Sequence, residues 1–227
     1  MIILSVHPDT ITNQFMASDL LAACSAVPFT IAAVQEVSIG MFSEALPAFE
    51  QRGYRSAFSP YGPMTLGNVG MLLLWDPQLC ALEKLEHDHM PNTGKNWFAQ
   101  CARPPNIAQV ATFATQGGTE AKRVQVLNYR VPVALASDAL PLSKVDVTAH
   151  PFLCVSGLHR PDAASVALSS SKYLNACVCS NKSINPDSDA IFFRGIDAIT
   201  AHRFSEGLTE SGLRYKRLDW NETPKHL

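Results

Sequence analysis

A chain of 227 residues with 47% hydrophobic and 17% charged side chains has enough apolar material for a substantial core, which excludes a disordered protein and favours one large α/β domain. Its 18 basic and 20 acidic residues leave a net charge of −2. That excludes binding nucleic acid through general electropositivity, so any RNA contact needs a local patch or neighbours in an assembly. No apolar stretch reaches the ~20 residues of a membrane span, and the first residues lack the basic and apolar regions of a signal peptide. The expectation is an intracellular protein, mitochondrial or cytoplasmic, with no membrane partner.

Met1 to Val6 reads as a first strand. Ala17 to Val27 reads as a helix with Leu20, Leu21, Cys24 and Val27 on one face and Ser18 or Asp19 as cap. Phe29 to Val34 is the next strand, closed by Gln35-Glu36. Met41 to Arg52 reads as a helix with Phe42, Leu46 and Phe49 on one face. Pro47 is awkward inside it, and a helix starting at that proline is the alternative. After a turn at Gly53-Tyr54, Met71 to Trp75 is apolar at every position, as in a strand covered on both faces. Asp88 to Pro105 reads as a long surface loop. Ala108 to Thr115 and Val124 to Val131 form a hairpin around Gln116-Gly117-Gly118-Thr119. Phe152 to Ser156 is a strand, Pro161-Asp162 opens a helix of about 16 residues, and Ile191 to Phe193 and Ala198 to Thr200 are short strands. The six cysteines form no Cys-x-x-Cys pair. They read as reduced packing residues, with a metal or redox site at Cys177-Val178-Cys179 as the alternative.

Several segments, in order, carry a resemblance. These are the strand ending in Gln35-Glu36; Gly53-Tyr54; Gly70 and Leu74-Trp75; Asn106 to Ala111 followed by Val124 to Asn128; Phe152-Leu153-Cys154; Ser188 to Phe193; and the terminal Thr223-Pro224-Lys225-His226-Leu227. Together they resemble the endonuclease/exonuclease/phosphatase family, and within it the poly(A)-deadenylase branch. The resemblance implies a single α/β domain over residues 1–227, lacking its last strand. Its architecture would be two packed mixed β-sheets flanked by helices, a four-layer DNase I-like sandwich. It also implies an ancestral Mg²⁺-assisted hydrolysis of phosphate esters.

The residues that would perform that chemistry are mostly replaced. Glu36 is kept. The family's first-strand asparagine falls at His7, the histidine of its Asn-Thr-His-Leu at Arg130, and the Asp and Asn of its Gly-Asp-Phe-Asn at Gly157 and His159. The aspartate before His226 is Lys225. Magnesium favours oxygen ligands, usually including a carboxylate or two, and Arg130 and Lys225 would repel it. No catalytic residue and no cofactor is therefore expected; Glu36, His159, Asp189 and His226 stand as relic positions, and Glu36 is the one candidate ligand if any metal binds. Arg130 and Lys225 either grip a phosphate in place of the ion or pair with Glu36 in a defunct cleft.

Three further groups invite interpretation. Glu86-His87-Asp88-His89 reads as a solvated loop, with a metal cluster as the alternative. Ser156 lacks the Gly-x-Ser-x-Gly setting of a hydrolase nucleophile. Arg214, Tyr215, Lys216 and Arg217, close to Trp220, suit stacking and phosphate contact with single-stranded RNA, or are charges protecting a strand edge. Three functions stay open. The first is a non-catalytic structural or interaction subunit with protein partners, in a ribonucleoprotein such as a divergent mitochondrial ribosome or RNA-processing complex. The second is a divergent Mg-dependent nuclease, deadenylase or phosphatase using Glu36, His159, His226 and Asp162 or Asp189. The third is a phosphoinositide or nucleotide binder without catalysis.

Overall fold

Strands β1 (Ile2–His7), β2 (Ile31–Ser38) and β4 (Val69–Trp75) are apolar on both faces because each face meets a different layer. Side chains alternate along a strand. Ile3, Ile31, Ala33, Leu73 and Trp75 therefore fall into one cluster with Ala111, Phe113, Val124 and Val126 of the second sheet. Leu4, Val6, Ala32, Val34, Leu72 and Leu74 fall into another with the two helices. The computed structural model describes residues 1–7, 16–26, 29–61, 69–89, 106–116, 123–129, 152–156, 174–175, 190–194, 204–208 and 214–219.

Helix α1 (Ala17–Ala26) buries Ala17, Leu20, Ala23 and Cys24. The Asp19 carboxylate reaches back to accept from the Met16 N–H at 2.7 Å, satisfying a donor the helix start leaves open. Helix α2 (Ile39–Gln51) begins at Ser38, whose side chain accepts from the Met41 N–H, and runs straight through Pro47. Its buried stripe is Met41, Ala45 and Phe49, not the predicted Phe42, Leu46 and Phe49. Pro47 is tolerated because it lies on the exposed side, where solvent satisfies the carbonyl that its missing N–H would have served. Gly53, at φ +86°, ends the helix, with Gly53 N–H donating to Glu50 and Tyr54 N–H to Phe49.

The first sheet has the order β11 (Phe204–Leu208), β12 (Arg214–Asp219), β1, β2, β4, β3 (Arg55–Pro60). The second runs β5 (Cys80–His89), β6 (Asn106–Thr115), β7 (Arg123–Tyr129), β8 (Phe152–Ser156), β10 (Ala190–Arg194), β9 (Leu174–Asn175). Both are mixed: β1–β2 and β7–β8 are parallel and the other pairs antiparallel. The hairpin pairing of β6 with β7 and the strands at 152–156 and 190–194 agree with the sequence reading.

Three expectations need correction. Arg55–Pro60 and Cys80–His89 are strands that the sequence reading did not assign, because their polar and charged residues mask the alternation. Asp88 and His89 belong to β5 rather than to a loop. Arg214 to Arg217 lie on β12, which is hydrogen-bonded on both sides by β1 and β11, so they are not charges on a sheet edge. The expected helix after Pro161, the strand at Ala198 to Thr200 and the Cys177-Val178-Cys179 group lie outside the described residues.

Candidate functional site

The end of β2 is irregular. Val34 pairs with Leu72 and Val37 with Gly70, so Gln35 and Glu36 together span the step that Met71 alone makes on β4. One extra residue makes a β-bulge, which re-aims side chains and is common beside functional sites. Glu36 takes φ +56°, a left-handed conformation that costs a non-glycine residue roughly 1–2 kcal/mol. Its N–H donates to the Tyr61 hydroxyl at 3.2 Å. Both residues are buried, Glu36 at 2% exposure and Tyr61 at 0%. Gly70 permits the bulge's partner strand to lie close. A Cβ there would sit 2.3 Å from the Ser59 carbonyl oxygen.

Beneath Glu36 the two sheets meet through amides. The Gln35 Nε2 donates to Asn128 Oδ1 at 2.8 Å. Asn128 Nδ2 donates to the carbonyls of Val34 and Leu72 and to Gln109 Oε1, at 3.4, 3.2 and 3.0 Å. Gln109 Nε2 donates to Ser59 Oγ at 2.8 Å and to the Ala57 carbonyl at 3.1 Å. Ser59 Oγ is hydrogen-bonded in turn to His87 Nε2. The chain therefore crosses from β2 to β7, β6, β3 and β5. It also resolves the Glu86-His87-Asp88-His89 group. On a strand, neighbours face opposite ways; Glu86 pairs with Lys84 at 3.0 Å while His87 turns to Ser59, so no shared site forms from those two.

The register also collects the strand ends. Val6 pairs with Val34, and His7 with Arg214. In the second sheet, Tyr129 pairs with Ser156 and Ser156 with Ala190. The Gln35–Asn128 bond stacks these two ends, so Glu36 and the ends of β1, β7 and β8 share one rim of the sandwich. Arg130, Gly157 and Asp189 are next in sequence to Tyr129, Ser156 and Ala190. Those three, with His159, Lys225 and His226, lie outside the described residues. Of the expected site residues, Glu36 has its side chain placed, and Arg214, Tyr215, Lys216 and Arg217 are placed by their backbone on β12. Tyr61, Ser59 and the site role of Gln109 and Asn128 were missed. The available signal was a polar residue at an inward position of an apolar strand, as at Gln109 and Asn128.

Cys24 and Cys80 are buried free thiols. Burial pushes both up to about 12, opposed at Cys24 by Arg52 and reinforced at Cys80 by the Asp76 charge. Such thiols are inert packing groups.

No family model matches this sequence, and no curated protein matches it significantly. Solved structures do match its fold. The chain is similar to the human nocturnin catalytic domain with bound sulfate anion, at 12% identity and a TM-score of 0.68, covering 97% of this chain and 93% of that one. It is similar to the mannosyl-6-phosphatase of Bacteroides thetaiotaomicron, at 10% identity and 0.65, covering 97% and 99%. It is also similar to D. rerio TDP2 complexed with single strand DNA product, at 11% identity and 0.65, covering 97% and 98%. Two mixed sheets packed face to face with helices outside, over nearly the whole of each chain, give this protein the fold of the endonuclease/exonuclease/phosphatase proteins.

Proposed function

We propose that this protein is a catalytically degenerate member of that fold, serving as a structural or interaction subunit of a ribonucleoprotein such as a divergent mitochondrial ribosome or RNA-processing complex. The observation that carries the reading is the composition of the rim. There β2 delivers one carboxylate, Glu36, while the residues that follow β7 and β8 in sequence are Arg130 and Gly157. Among the described residues, the donor set at the rim fits magnesium poorly. The amide oxygens of Asn128 and Gln109 already accept protein hydrogen bonds, and among the described residues no three His, Cys, Asp or Glu side chains are grouped to hold a metal. A hard divalent ion bound by a single acid is held weakly. The fold then supplies a rigid frame whose partners are other proteins and RNA, with Arg214, Tyr215, Lys216 and Arg217 as candidate RNA contacts and Arg130 and Lys225 as candidate phosphate contacts.

Calorimetry with Mg²⁺ and Mn²⁺, together with turnover assays on poly(A) RNA and small phosphate esters, tests the loss of catalysis. Metal-dependent turnover that Glu36→Gln abolishes would overturn it. Recovery of the tagged protein in a large rRNA-containing particle supports the assembly role, and a monomer without partners in the cell opposes it. One observation favours a second reading, residual phosphoester hydrolysis. Glu36 keeps a costly left-handed conformation, and such strain concentrates at working sites.

A further inference from the structure

Among the described residues, two oxygens in the layer between the sheets lack a hydrogen-bond partner, Gln35 Oε1 and Ser5 Oγ, on side chains exposed at 0% and 2%. Register places them on one face of adjacent strands. β1 and β2 run parallel with Ser5 beside Ala33. Ser5 shares the inward face of Ile3, and Gln35 is the next inward residue after Ala33 on the neighbouring strand.

The unmet acceptor at Gln35 is not a mis-oriented amide. Asn128 must turn its NH₂ toward the carbonyls of Val34 and Leu72, which leaves its Oδ1 facing Gln35. Gln35 must therefore present its own NH₂, and both of those hydrogens are used, on Asn128 Oδ1 and on the Ala33 carbonyl at 3.3 Å. Turning Gln35 over would set two amide oxygens against each other. Its Oε1 is thus left as a buried acceptor without a donor.

We propose that one buried water molecule occupies this position, donating to Gln35 Oε1 and hydrogen-bonded to Ser5 Oγ. Leaving a buried polar group unmatched costs about 1–3 kcal/mol, and here there are two. Immobilising one water costs at most about 2 kcal/mol, so matching both oxygens with one water is favoured. Water is the ligand class that fits. Two neutral oxygens are too few for a hard cation, which takes six or more oxygen ligands, whereas a buried water commonly uses two to four. With the water in place, the polar chain runs unbroken from His87 on β5 to Ser5 on β1, passing under Glu36. The inference stands whether or not the rim retains catalysis.

A crystal structure of the unaltered protein at about 1.8 Å tests it directly. The expected result is an isolated density peak about 2.7–3.2 Å from both Gln35 Oε1 and Ser5 Oγ. An empty gap, a direct Ser5–Gln35 hydrogen bond, or density continuous with a side-chain nitrogen would overturn it. Magnetic relaxation dispersion of water nuclei gives a second readout. Ser5→Val, which removes one anchor and fills the space, is expected to lower the number of long-lived internal waters by one relative to the natural protein, and an unchanged number in a folded variant would count against the site. If the variant does not fold, the density in the natural protein decides alone.

Discussion

Between the sheets the interior changes character along its length. Around Ile3, Ile31, Leu73, Phe113, Val124 and Val126 the contact is apolar throughout, with Trp75 and Phe113 meeting edge to face at 5.8 Å. Two to four residues further along the same strands, it becomes Gln35, Asn128 and Gln109. Apolar burial is worth about 25 cal/mol per Å² whichever way the groups face. The amide chain is directional, since each donor fixes the orientation of the next acceptor. The apolar half supplies energy without specifying how the sheets align, while the amide half fixes their alignment just beneath Glu36.

The largest expected effect separates these halves. Asn128→Ala removes four hydrogen-bond contacts at once, leaving the Val34 and Leu72 carbonyls, Gln109 Oε1 and Gln35 Nε2 buried without it. The expected loss is about 3–5 kcal/mol in urea unfolding, against about 1 kcal/mol for Ile31→Val in the apolar half. Equal losses would remove the distinction. Next comes Gly70→Ala. Its methyl would lie against the backbone of Ser59 and Pro60, at 2.3 and 2.8 Å, forcing β3 from β4 at a cost of about 2–3 kcal/mol. The same change at Gly40, where a Cβ meets nothing within 4 Å, is expected to stabilise helix α2 by a few tenths to about 1 kcal/mol.

Tyr61→Phe is smaller and more local. It takes away the acceptor for the Glu36 N–H and is expected to cost about 1–2 kcal/mol. Amide exchange at Glu36 should quicken with it, while exchange in the apolar half stays as it was. Unaltered exchange at Glu36 would mean that the bulge holds without Tyr61.

The apolar half was the legible half. Met71 to Trp75 shows its two-sided burial in composition alone, and Phe29 to Val34 shows a strand, though β2 runs on past the acid to Ser38. The amide chain was not legible, because Gln35, Gln109 and Asn128 lie as far as 93 residues apart in sequence and each is unremarkable in its own segment. β5 was hidden for a related reason. Its Glu83, Lys84 and Glu86 are the charges of a sheet edge, a useful guard against further pairing, but in sequence they resemble a loop. The bulge at Glu36 leaves no sequence mark, since glycine would have been the expected residue at a positive φ.

The smallest effect tests the apolar layers through pH. Cys24 sits in the layer under the helices and Cys80 in the layer between the sheets, both raised by burial to about 12. In the unfolded chain a thiol loses its proton near 8.5, so between about pH 8.5 and about 12 the native state holds more protons than the unfolded one. Stability therefore falls as pH rises through that window, by about 1.4 kcal/mol per pH unit for each such thiol, and these thiols add no pH dependence below it. Cys24→Ala is expected to remove one thiol's share of that slope, measured as the difference in unfolding free energy from the natural protein between pH 9 and pH 10. A slope identical in the two proteins would mean that water reaches Cys24, and that the layer beneath the helices is less closely packed than the burial of Leu20, Phe49 and Leu72 requires.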